Sequence, residues 1–349
     1  MPYVFLLCTG IVTAMLASLD RKHRTVYFVL LAAVMILFSG LRYKVGTDYE
    51  SYELLYEEVV EDWASSEIGY VGLIRLMEMT GLGFSGAIFT MSLLTVAFAA
   101  VAITKFRCGV HSLYIFLTVP LFYLLSLNTI RQSLAAAIFM LATRYARDRD
   151  PRRFFSLLAL AVGFHVSAIL LAPTYFIANR APTYKFLGLS LLAGVFFALN
   201  ISIAVELLGL HPVYLEEKEG SALGQFVISL GSAIFLIHAV RAKRGKQMTD
   251  SPLVNYMSIA AGICFASLFT NVGAGFIVRM TTYFTWVIAI LAPGYISRLP
   301  RGDRIAAFAS MYVVASLYYL VTITRGEDIN LVPYHTILSS ATVVHQTNP

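Results

Sequence analysis

Three arginines, a histidine and an aspartate carry the chemistry that this sequence could perform. Arg42 follows the apolar stretch "LFSGL", Arg131 lies in "SLNTIRQSLAAAI" and Arg279 lies in "GAGFIVRMTTYF". An arginine keeps its proton and offers a planar fork of donors that matches phosphate, and a diphosphate needs more than one such fork. "NTIRQSLA" reads as a helix start with Asn128 or Thr129 as cap, so free N–H groups and the helix dipole would favour an anion near Arg131. The glycines of "NVGAG" ahead of Arg279 allow a similarly close backbone approach. The alternative for a lone arginine at a helix end is to snorkel to lipid headgroups. Three on one side, each beside polar or Gly-rich sequence, weigh against it.

His165, in "GFHVSAIL", is of the residue type suited to removal of a proton from a sugar hydroxyl, or to contact with a diphosphate. Its other reading is a core histidine donating to a carbonyl. Asp48, in "VGTDY", is a second candidate base or a ligand for a sugar hydroxyl, unless it only caps the helix that follows. The seven histidines are scattered, and the chain has no HExxH, no DxD and no Cys/His cluster. It also lacks a P-loop and a GxSxG elbow. Neither metal nor cofactor is expected, and a reaction here must use an activated substrate.

The elements that position these residues are membrane helices. Of 349 residues, 58% are hydrophobic and 13% charged, with a mean hydropathy of +0.74, outside the range of soluble domains. Apolar runs occur at about 3–19, 25–41, 84–104, 112–128, 131–146, 186–204, 225–240, 253–271, 279–296 and 305–324. Six connectors between them are basic and read as cytoplasmic. Residues 154–178 have the length of one span, but a single crossing would invert every later loop. A short helical hairpin around Gly163–His165, with both ends cytoplasmic, restores the parity. Irregular backbone at such depth is tolerated where it is buried in protein or lines a wet cavity. The predicted fold is therefore an all-α polytopic bundle of about 10–12 membrane segments, one transmembrane domain over 1–349.

Of 26 Lys and Arg residues, 19 fall inside, so the pI near 9.1 is mainly a topology signal and needs no nucleic acid. Three outer segments remain. Residues 42–83 contain "DYESYELLYEEVVEDW" and "IGYVGLIRLMEMTGLG", two amphipathic stretches expected as interfacial helices. Residues 205–224 form a second loop and 325–349 a tail.

"GLRYKVGTDYESY", "NTIRQSLAAAI", "GFHVSAIL", "RMTTYF" and the late "VPY", in this order, resemble the EpsG family of Wzy-like polysaccharide polymerases. The resemblance runs from Gly40 to Tyr334 and implies a GT-C-like helical enzyme in the bacterial inner membrane, its outer loops in the periplasm. Such an enzyme joins oligosaccharide repeat units carried on undecaprenyl diphosphate and releases that lipid diphosphate, which needs neither sugar nucleotide nor metal. On this reading Arg42, Arg131 and Arg279 meet the charge of the departing diphosphate, and Asp48 or His165 activates the acceptor hydroxyl. Tyr49, Tyr52 and Tyr283 stack on sugars or donate to the diphosphate, Gln132 orients a phosphate or sugar, and Tyr334 closes the site from the tail. Partners would be the lipid-linked donor and acceptor, membrane lipid, a flippase and a chain-length regulator. An O-antigen ligase would share the donor. A transporter or flippase would instead need polar residues running through the midplane, whereas the unexplained polar groups here gather at one face; an outer-face acyltransferase is a weaker option.

Overall fold

The structure, a computed structural model, describes residues 2–62, 67–106, 109–119, 122–200, 203, 223–242, 253–269, 279–325 and 330–338. Among them there are helices and no named strand. The chain divides into two compact units. Unit 1 comprises residues 1–145, 150–172 and 292–349, and unit 2 comprises 146–149 and 173–291.

In unit 1, α1 (Pro2–Leu19) packs on α2 (Arg24–Gly40), and both touch α6 (Val110–Thr118). α2 also lies along α5 (Gly83–Lys105). Between α2 and α5 run α3 (Tyr49–Asp62) and α4 (Ile68–Met79), the two helices expected in the first outer loop. The buried face of α3 is aromatic, through Tyr49, Tyr52 and Tyr56, while Glu50, Glu57, Glu58 and Glu61 are exposed. α7 (Ile130–Arg147) and α8 (Pro151–Phe164) follow, and α15 (Arg301–Thr324) closes the unit against α1 and α6. α8 starts where Asp150 accepts from the Arg153 N–H at 3.1 Å and Pro151 sets the first helical φ.

Unit 2 contains α9 (Thr174–Ile177), α10 (Tyr184–Leu199), α11 (Leu223–Ala242), α12 (Val254–Ala266) and α13 (Thr282–Thr285). α10 begins at a Thr183 cap that accepts from the Phe186 N–H at 3.1 Å. α10 and α12 meet backbone to backbone through Gly194 and Gly262. α14 (Val287–Ile296) spans the boundary between the units.

α1, α5 and α15 are long and apolar enough to cross a membrane, and α2, α10 and α12 are shorter apolar helices. Several turn large apolar side chains outward: Phe5, Phe196, Leu192, Val314 and Leu317 are all exposed. A helical protein with an apolar exterior and polar groups inside is built for lipid. This is a multi-pass membrane protein.

One expected span differs. The run at 112–128 is not one helix: α6 stops at Thr118 and, among the described residues, only a 3-10 turn, Leu125–Leu127, precedes α7. Val119 takes an extended conformation (φ −83°, ψ 114°) because the ring of the following Pro120 excludes the helical one. The run at 279–296 forms a shorter apolar helix over Thr282–Ile296, in which only Trp286 separates α13 from α14 and Pro293 lies within the latter. The second outer loop at 205–224 lies almost wholly outside the described residues, as do "NVGAG" at 271–275 and the tail beyond 338.

At the expected hairpin the chain does break. α8 ends at Phe164, His165 is extended (φ −156°, ψ 114°), and a 3-10 turn over Val166–Leu171 follows. The second limb, Val166–Ile177, is a shorter apolar helix made of that turn and the four-residue α9.

Candidate functional site

Two close approaches build the site in unit 1. The start of α4 sits against the end of α8 at Gly69, where a Cβ would stand 2.9 Å from the Gly163 carbonyl oxygen. Only glycine lets the two backbones come this near. The second approach is the turn before α3. Gly46 has φ +104°, and a Cβ there would fall 2.6 Å from the Leu127 carbonyl oxygen. The Asn128 side chain accepts from the Thr47 N–H at 2.8 Å, which ties this turn to the start of α7. Asn128 therefore staples the loop and does not cap α7; Thr129 precedes that helix and pairs its hydroxyl with Ser133 at 3.1 Å.

The first approach brings Glu67 between His165 and Arg131. Glu67 is buried directly ahead of α4 and makes no cap bond to its own helix. Its Oε1 accepts from His165 Nδ1 at 2.9 Å and from the Val166 N–H at 3.2 Å. Its Oε2 accepts from Arg131 Nη1. The Arg131 guanidinium lies over two rings, 5.1 Å from the centre of Tyr70 and 5.7 Å from that of Tyr52. A quarter of the Arg131 side chain is exposed and 16% of that of His165, so both reach solvent from a mostly buried network.

The electrostatics follow from this packing. Burial works to raise the Glu67 pKa, but the hydrogen bond from His165 and the charge of Arg131 outweigh it and hold the carboxyl below its ordinary range. Burial pushes the phenols of Tyr52 and Tyr70 up, so both stay neutral beneath the guanidinium. An ionised carboxylate can only accept, so His165 Nδ1 carries a proton, and in the neutral ring Nε2 holds the lone pair. Nε2 has no partner among the described residues. A base with a carboxylate behind it and a guanidinium alongside can take a proton from a hydroxyl while the cation meets an anion.

The other expected residues are distributed as follows. Asp48 is half-buried at the start of α3, accepts from the Thr47 hydroxyl at 3.1 Å, and lies close enough to Tyr52 to raise its pKa. Tyr49 is buried edge-on to Phe84, and Gln132 is buried on the first turn of α7. Arg42 is turned inward and is 1% exposed. Its fork donates to the Ser39 carbonyl, to Ser92 Oγ at 3.2 Å and to the Leu127 carbonyl at 3.4 Å.

The tail lies across this arginine. Thr336 bridges to Arg42, the Tyr43 N–H donates to the His335 carbonyl at 2.9 Å, and the Gly46 N–H donates to the Asn330 carbonyl at 2.7 Å. Tyr334 stacks on Phe38 with ring centres 4.3 Å apart and donates its hydroxyl to the Phe38 carbonyl. Arg279 and Tyr283 belong to unit 2. There the Arg279 carbonyl accepts from the Thr282 hydroxyl at 2.6 Å, and Tyr283 is wholly buried.

Reading the sequence singled out Arg131, His165 and Tyr52, which the fold brings together, and missed Glu67 and Tyr70. The one signal was an acidic residue immediately ahead of the apolar helix "IGYVGLIRLM", and it is easily taken for an ordinary helix cap.

Compared with known proteins, residues 25–336 match the model of the EpsG family, most of the chain. No curated protein and no solved structure matches.

Proposed function

The chain belongs to the EpsG family, a Wzy-like polymerase family, and on that premise we propose that it polymerises oligosaccharide repeat units carried on undecaprenyl diphosphate. The chemistry takes place at the periplasmic face of the bacterial inner membrane, in a GT-C-like helical enzyme. The growing glycan is attacked at its lipid-linked anomeric carbon by a hydroxyl of the next repeat unit. The new glycosidic bond forms as the bond from that carbon to the diphosphate oxygen breaks, the hydroxyl proton goes to His165 Nε2, and undecaprenyl diphosphate leaves with the electron pair.

The observation that carries this reading is the meeting of Arg131 and His165 through one carboxylate. Arg131 stabilises charge developing on the leaving diphosphate, a role that this reading gives to arginine and not to a metal. Tyr52 and Tyr70 hold the guanidinium flat and offer ring faces to sugars, Gln132 orients the phosphate, and Asp48 contacts sugar hydroxyls at the entrance. The fork of Arg42 faces inward, and the reading draws on it only to hold the loop that carries Asp48.

Purified protein incubated with undecaprenyl-diphosphate-linked repeat units tests the reaction. A ladder of polymer that Arg131→Ala abolishes is expected. Movement of the lipid-linked unit across a vesicle membrane with no new glycosidic bond would overturn the reading in favour of a transporter.

A further inference from the structure

We propose that Glu67 is a positioning residue that links the charge at Arg131 to the base strength of His165. The inference deepens the polymerase reading and rests on it for its role in catalysis, but not for its test. Glu67 spends one oxygen on each partner, Oε1 on His165 Nδ1 at 2.9 Å and Oε2 on Arg131. The backbone N–H of Val166 donates to Oε1 as well, so the carboxylate is held from three sides while almost wholly buried.

A carboxylate against Nδ1 stabilises the imidazolium that forms when Nε2 takes a proton. The cation on the opposite oxygen draws on the same negative charge. While Arg131 is tied to Glu67, the field that favours protonated His165 is partly cancelled. When an anion takes Arg131, more of the charge of Glu67 acts on the imidazole, and the base strengthens. The lipid diphosphate is such an anion, so arrival of the donor would ready the base for the acceptor. The charged and titratable groups around the pair are Glu67 ahead of α4, Arg131 on α7, Tyr70 on α4, Tyr52 on α3 and Asp48 before α3. The two phenols stay neutral near pH 7, which leaves Glu67, bonded to the imidazole, and Arg131, bonded to Glu67, as the opposed charges of the network.

Modification of His165 by diethyl pyrocarbonate, followed by mass spectrometry across pH, reads its basicity without substrate and with His23 and His335 as internal references. Glu67→Gln is expected to lower the apparent pKa of His165 by about one unit, and Arg131→Ala to raise it by a similar amount. A residue that only braces the fold would not move the two in opposite directions. No shift in either variant, or shifts of the same sign, would overturn the link. If Glu67→Gln does not elute as a single species, the rise expected in Arg131→Ala decides alone: its absence overturns the link. Opposite shifts in a protein that makes no polymer would leave the link standing and remove the polymerase reading. Where polymer forms, Glu67→Gln should also cut turnover at least about tenfold, with part of it restored in Glu67→Asp.

Discussion

Arg42 donates to the Leu127 carbonyl, four residues ahead of Arg131, and the two arginines meet opposite fates. Both forks are mostly withdrawn from water, but Arg42 is closed in by two carbonyls and a serine hydroxyl with 1% of its surface exposed. Arg131 answers a carboxylate and keeps a quarter of its side chain exposed. A guanidinium that spends its donors on neutral backbone groups fixes chain segments in place. One that shares a carboxylate with a solvent-reaching histidine can exchange that partner for an incoming anion. On the proposed reading the difference separates an arginine that holds the loop from one that meets the diphosphate, although the sequence presents both as charges at helix ends.

The sharpest way to break this contrast is to remove each fork. Arg131→Ala should reduce polymer formation by about 10²–10³-fold, the usual cost of losing one donor to developing negative charge. A ladder assay on protein that still elutes as a single species from size exclusion checks it. Arg42→Ala should act on stability instead. It empties a buried volume and removes bonds to Ser39, Ser92 and Leu127, a loss on the order of 3 kcal/mol in thermal unfolding. The fraction that remains folded should keep polymerising. A stable but inactive Arg42→Ala protein would return Arg42 to the diphosphate and erase the distinction.

The glycines beneath the two arginines extend the comparison. Gly69→Ala would set a Cβ 2.9 Å from the Gly163 carbonyl and push the start of α4 from α8. A misplacement below 1 Å there should reduce turnover by about tenfold, because Glu67 moves off His165. Gly46→Ala forces a side chain into φ +104° and against the Leu127 carbonyl. About 1–3 kcal/mol of stability should be lost there, with little change in turnover per folded molecule. Equal effects of the two substitutions on turnover would show that both approaches serve the same site.

The parts of the fold set by local chemistry were legible. α1, α5 and α15 follow from unbroken apolar runs, α8 from Asp150 and Pro151 at its start, and the break at His165 from the need for basic loops to share a side. The end of α6 was missed, because the run at 112–128 stays apolar on both sides of Pro120. The parts that depend on distant backbones meeting were not legible. Glu67 finds its partners only because Gly69 approaches Gly163, and nothing near Glu67 in the chain announces that contact. The burial of Arg42 depends on residues 330–338 returning to Leu41, Tyr43 and Gly46, a closure no local pattern encodes. Tyr334 was expected at the site from the tail, and it does come back beside Arg42. There it stacks on Phe38 and donates its hydroxyl to the Phe38 carbonyl.

The smallest effect expected belongs to acid, and it separates the two arginines once more. In the fold the Glu67 carboxyl titrates below its ordinary value of 4.5, since its bonds to His165 and Arg131 outweigh its burial. The unfolded chain then binds the proton more readily than the folded one, so the stability that Glu67 contributes is fully present above pH 4.5. It drains away as pH falls below that value and through the depressed folded pKa. Glu67→Gln has no such proton to bind, so its unfolding temperature should fall less steeply than that of the wild type on acidification below 4.5. Arg42 answers no carboxylate through any of its described bonds. Arg42→Ala, though less stable at every pH, should therefore keep the acid slope of the wild type. Parallel slopes for wild type and Glu67→Gln would mean that the carboxylate is not held ionised between His165 and Arg131, and the contrast between the two arginines would then rest on exposure alone.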